Sequence, residues 1–75
     1  MVFEKIAEIL AEQLSIDVDE ITEDSMLEED LDAGSYDIID VVMSIEDDFQ
    51  LEVPDEEIES WKTVGDIVSF IENNR

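Results

Sequence analysis

The chain has 75 residues, 44% of them hydrophobic, and 24 acidic residues against 3 basic ones give a net charge of −21. That length suits one domain near the lower limit for a self-supporting core, and the apolar share is too high for ordinary disorder. There is no cysteine and no histidine, which excludes disulfides, thiolate metal sites and thiol catalysis, and removes the usual neutral-pH base and commonest metal ligand.

Taken in chain order, Phe3, Ile6, Ala7, Leu10 and Leu14 recur at helical spacing and predict an amphipathic helix over residues 2–14. Its beginning, Met1-Val2-Phe3-Glu4-Lys5-Ile6, lacks the basic start and long apolar stretch of a signal peptide. No apolar run approaches a membrane span, so the expectation is a cytoplasmic protein without membrane insertion. Ser15 to Ile21 opens a long connection, unusual in so small a domain, and Leu27 and Leu31 are placed to pin it to the helices. A second helix is expected from about Ser35, with Ile38, Val42, Ile45 and Phe49 as its core stripe. Leu51-Glu52-Val53-Pro54 reads as extended, because the residue before proline disfavours helix. Asp55-Glu56-Glu57-Ile58 suggests a short helix with acids in its first turn. Thr63 then caps a final helix carrying Val64, Ile67, Val68 and Ile71, with Asp66 completing a capping box. Helices alternate with turns and no strand pattern interrupts them. The fold class is therefore all-α, a small four-helix bundle of three longer helices and one short one, with a long loop between the first two. It forms a single domain over residues 1–75.

No Lys or Arg lies between Ile6 and Trp61. Binding to nucleic acid backbone or anionic membrane needs cations and is not expected. Partners should instead present basic patches, drawn in by the acidic field. Much of the charge can also serve solubility alone. An EF-hand is excluded: Asp17, Asp19 and Glu28 have the right spacing, but Ile21 and Thr22 occupy a ligand position and the obligatory glycine position. A weak, nonspecific divalent association remains compatible with the carboxylates, and no metal site is assigned. Carboxylate pairs abound, yet no spacing singles out an acid and a base, and no nucleophile–base pair can be assembled, so the chain is not expected to be an enzyme.

The most informative stretch is Asp30-Leu31-Asp32-Ala33-Gly34-Ser35-Tyr36-Asp37, followed by the apolar and acidic run from Ile38 to Phe49. It puts one serine at the mouth of a helix. On local sequence alone, Ser35 reads most simply as a helix cap. The stretch resembles the core of the acyl carrier proteins, D-L-G-x-D-S-L-(D/E) followed by an apolar helix closing on acids and Phe. The register fits without a gap from Leu27 to Pro54. The resemblance implies that Ser35 carries 4′-phosphopantetheine, placed there by a phosphopantetheinyl transferase, and that the arm holds acyl groups as thioesters. The helix N-terminus suits a phosphodiester. Three positions depart from the pattern. Asp32 stands where the family has Gly, and Gly34 where it has Asp. Tyr36 replaces Leu or Met. The resemblance assigns transferase recognition to the Asp before the serine, so a generic transferase is expected to load this chain less efficiently.

On a helical wheel, Tyr36, Ile39 and Met43 form a second apolar line beside the core stripe. Asp37, Asp40, Asp47 and Asp48 lie outward, and Glu46 lies near the boundary. This line can simply widen the core face. The resemblance instead implies that Tyr36, Asp37, Ile39, Asp40, Met43, Glu46 and Asp47 meet basic-patch acyl-processing enzymes. It also implies an acyl cavity, with Val42, Ile45, Phe49, Ile58, Trp61, Val64 and Ile67 as lining candidates, each of which would serve equally as ordinary core. The resulting expectation is a monomeric carrier for type II fatty acid synthesis. The alternatives are a specialised carrier for polyketide, aminoacyl or D-alanyl groups, or an acidic helical regulatory or binding module.

Overall fold

The structure, a computed structural model, describes residues 2–74. They form four α-helices: α1 (Val2–Leu14), α2 (Ser35–Phe49), α3 (Asp55–Ser60) and α4 (Val64–Asn74). One turn of 3₁₀ helix, Val18–Glu20, lies in the loop after α1. The α1 sequence has no Gly or Pro and repeats apolar residues at three- and four-residue intervals, so one face can be buried along its length. Val2, Ile6, Ala7 and Leu10 form that buried face, while Phe3 and Leu14 are half-buried at its sides. Helix α1 packs against both α2 and α4. On α4 the four expected residues, Val64, Ile67, Val68 and Ile71, are all buried.

The core stripe of α2 differs from expectation. Val41, Val42 and Ile45 are buried, and Ile38 and Phe49 are only half-buried. The four residues lie within about 60° of one another around the helix and share one face. Ile38 and Phe49 are less covered because they stand near the two ends of α2, and Val41 completes the buried face between them.

The loop between α1 and α2 is held by burial and by backbone pairing. Ile21, Leu27, Leu31 and Ala33 are buried, so Leu27 and Leu31 do pin the connection. Met26 and Thr63 form an isolated antiparallel bridge. Leu27 N–H donates to Lys62 O at 2.9 Å, Val64 N–H to Ser25 O at 3.0 Å, and Gly65 N–H to Glu23 O at 2.8 Å. The last contact favours glycine, because a Cβ on Gly65 would lie 3.1 Å from Glu23 O, closer than ordinary van der Waals contact. Helix α4 begins with the expected capping box: Asp66 N–H donates to Thr63 Oγ1 at 3.2 Å, and Asp66 Oδ2 accepts Thr63 N–H at 3.0 Å. Asp66 Oδ2 also accepts Lys62 N–H at 2.8 Å.

Candidate functional site

Helix α2 starts at Ser35, and Gly34 is the residue that caps it, with an extended backbone (φ −81°, ψ 177°). Gly34 N–H donates to Asp37 Oδ2 at 3.2 Å, which closes the first turn from the acidic side. Ser35 is thus the first helical residue and not the cap. Its side chain is exposed, and its hydroxyl makes no hydrogen bond among the described residues. The cap reading of Ser35 is corrected, and the hydroxyl is left for other use. The chain has no histidine to activate it, and the nearest acid in sequence, Asp37, already accepts Gly34 N–H. No side chain among the described residues hydrogen-bonds the Ser35 hydroxyl as a base would.

Asp32 adopts a left-handed backbone (φ 55°). The conformation that favours glycine is thus taken by Asp, one of the few other residues that tolerate it. Gly34 sits in a conformation any residue can adopt, and a Cβ there would meet only Asp37 Oδ2, at 4.0 Å.

Ser35 opens onto a groove of about 460 Å³ between the start of α2, α3 and the long loop. Leu27, Ile38, Ile39, Ile58 and Trp61 give it apolar walls, and Glu28, Asp55 and Glu59 add carboxylates. Of the seven expected lining residues, Ile58 and Trp61 are in this groove. Val42, Ile45, Val64 and Ile67 lie instead in the packed core, and Phe49 is half-buried against it. Their side chains already fill the space between helices, which is why they do not reach the groove. Leu27, Ile38 and Ile39 were not expected there. Spacing alone points to two of them, since Ile38 and Ile39 follow Ser35 by three and four residues and so share its helix face. Trp61 is buried, stacks edge-on against Phe70 with ring centroids 5.8 Å apart, and leaves its indole Nε1 without a partner among the described residues.

The second apolar line of α2 does not widen the core. Tyr36 is 86% exposed, Ile39 50% and Met43 62%. Asp40 and Asp47 flank them in solvent, with Asp40 Oδ2 accepting Gln13 Nε2–H at 3.2 Å. Two of the expected acids have structural partners: Asp37 closes the α2 cap, and Glu46 is half-buried with its Oε2 accepting Val53 N–H at 2.9 Å. Asp48 faces Lys5 at 3.9 Å. No cluster of three potential metal ligands occurs among the described residues. No helix among them is long and apolar enough to cross a membrane.

Over residues 4–71 the chain matches the family described as a phosphopantetheine attachment site. It is 45% identical over 74 residues to the acyl carrier protein of Wolinella succinogenes, covering 99% of this chain and 97% of that relative. Identity to the acyl carrier protein of Clostridium perfringens is 46% over 69 residues, covering 92% and 91% of the two chains. The solved acyl carrier protein from Enterococcus faecalis superposes with a TM-score of 0.83 at 34% identity, over 99% of this chain and 94% of that one.

Proposed function

The chain belongs to the acyl carrier proteins, carriers dependent on 4′-phosphopantetheine and not enzymes, and from that premise we propose that Ser35 is its attachment point and that it serves type II fatty acid synthesis in the cytoplasm. When bound, the group supplies a flexible arm ending in a thiol, which explains how a chain without cysteine carries thioesters. The observation that carries the assignment is the exposed, unpartnered Ser35 hydroxyl at the first position of α2. Free N–H groups and the positive dipole end surround that position, and both favour a phosphodiester in an otherwise acidic protein.

In loading, Ser35 Oγ bonds to the phosphorus that bears pantetheine in coenzyme A. The pyrophosphate bond breaks, adenosine 3′,5′-bisphosphate leaves, and the hydroxyl proton passes to a base of the transferase. The groove beside Ser35 has the apolar lining to receive part of the arm or a short acyl chain. Tyr36, Ile39 and Met43, rimmed by Asp40 and Asp47, form the surface that basic acyl-processing enzymes meet. Asp37 and Glu46 contribute mainly by holding the two ends of that helix in place.

Intact mass after incubation with coenzyme A, magnesium and a broad-specificity transferase tests the assignment. The wild type is expected to gain one phosphopantetheine, and Ser35→Ala none. An unmodified wild type under conditions that load another carrier would remove Ser35 as the site.

A further inference from the structure

Trp61 is the chain's single tryptophan, and its buried indole N–H has no hydrogen-bond partner among the described residues. A buried donor left unmade is costly, and nearly all such groups in folded proteins find an acceptor. The residue stands between two depressions. One is the apolar groove that opens at Ser35. The other, on the side of α4, contains Glu57, Ser60, Asp66 and Ser69. That second side is rich in acceptor oxygens, yet the indole N–H bonds to none of them. The groove side offers the ring apolar neighbours, Leu27, Ile38 and Ile58, and carboxylates at Glu28, Asp55 and Glu59.

We propose that Trp61 Nε1–H is a positioning donor that binds a carbonyl oxygen of the arm, or of an uncharged acyl group on it, within the groove beside Ser35. This rests on the assignment of Ser35 as the attachment point. The N–H is shielded from solvent in the unloaded protein, so an incoming oxygen reaches it only where the wall at Trp61 shifts on loading, and that single point of access sets orientation. The three carboxylates set charge: an acyl group ending in its own carboxylate meets like charge there, whereas an uncharged one does not. The groove thus favours neutral cargo with an oxygen near the wall formed by Trp61.

Because the indole is unique, its ¹⁵N–H resonance is a single, unambiguous readout. Spectra of the unloaded protein are compared with protein loaded from coenzyme A and from octanoyl-coenzyme A, each first verified by intact mass. The indole proton is expected to move downfield on loading, and its exchange with solvent to slow about five- to tenfold, the effect of one buried neutral hydrogen bond. A change already present with the arm alone assigns the acceptor to the arm; a change only with octanoyl assigns it to the cargo. An indole resonance and exchange rate unchanged in both loaded forms overturns the proposal. A mass without the arm overturns the Ser35 assignment and this proposal with it. Trp61→Phe keeps the ring and removes the N–H. With folding checked by circular dichroism, it is expected to accept the arm equally by mass while gaining less in melting temperature on loading than the wild type. An equal gain also counts against the donor.

Discussion

Asp32 and Gly34 look transposed in the sequence, and the backbone shows what that transposition does. The left-handed position falls on Asp32 (φ 55°), and the ordinary one on Gly34 (φ −81°). A left-handed residue other than glycine costs about 1–2 kcal/mol, less for Asp, whose short side chain tolerates the region. Asp32→Gly should therefore stabilise the fold by about 0.5 kcal/mol, after the extra unfolded-state entropy of glycine is subtracted. Asp32→Ala should destabilise it by about 1 kcal/mol. For a chain this short, those values correspond to roughly 2–4 °C upward and 4–8 °C downward in melting temperature. Thermal melts followed by circular dichroism check both signs, and an Ala variant as stable as the parent would remove the strain argument. At Gly34 the backbone imposes no demand for glycine. Gly34→Asp is expected to fold normally and to load at least as fast as the parent with a generic transferase, measured by intact mass against time. Slower loading would separate transferase recognition from the residue before the serine.

Helix α2 carries both the attachment position and the exposed line, and its acids divide by what they touch. Asp37 and Glu46 accept backbone N–H groups, whereas Asp47 accepts none among the described residues and Asp40 is touched only by the Gln13 side chain. Charge reversal at Asp37 would thus mix lost capping with lost docking. Asp40→Lys with Asp47→Lys is the cleaner test: turnover with acyl-processing enzymes should fall, and the fall should lessen at high salt, while helicity stays within error. Unchanged turnover would remove this face as the docking surface. At the other end of the fold, Thr63→Ala removes one half of the α4 capping box and should cost about 1 kcal/mol. The capping box is legible in the sequence because Thr63 and Asp66 sit at the required three-residue spacing before an apolar run. The four helices, the buried stripe of α4 and the pinning role of Leu27 and Leu31 are legible for the same reason: local periodicity carries them. The bridge from Met26 to Thr63 and the close approach at Gly65 are not, since both depend on which distant backbone meets the loop. The groove is half legible. Ile38 and Ile39 follow from Ser35 by helical spacing, but Leu27 enters from the loop, and the core side of α2 turns out closed.

At the scale of the whole molecule, a net charge of −21 belongs to a chain whose described residues span 26 × 24 × 19 Å. Screening decides how strongly those charges oppose compaction. The Debye length is about 30 Å at 0.01 M salt, longer than the molecule, and about 3 Å at 1 M. Moving from the first condition to the second should therefore raise the melting temperature by several degrees, because repulsion is stronger in the folded state than in the expanded chain. With no three-ligand cluster among the described residues, magnesium and calcium should act alike through charge, differing by no more than about 2 °C at equal concentration. Acid acts through two opposing effects. Between pH 7 and about pH 5, partial protonation of carboxylates relieves the repulsion and stability rises. Asp66 works the other way. Backbone N–H groups of Lys62 and Thr63, then the Thr63 hydroxyl and the Lys62 charge, hold its carboxyl below the ordinary aspartate value. A depressed folded value means that its contribution is complete above the unfolded aspartate pKa of about 3.9 and is lost as pH falls through the folded one. The melting temperature should therefore pass through a maximum on the acid side of neutrality and decline below about pH 4. Asp66→Asn should lower the curve above about pH 4, converge with the parent's at lower pH and so flatten that acid decline, leaving the rise from pH 7 to 5 intact. A variant curve parallel to the parent's through pH 3 would assign the decline to other groups.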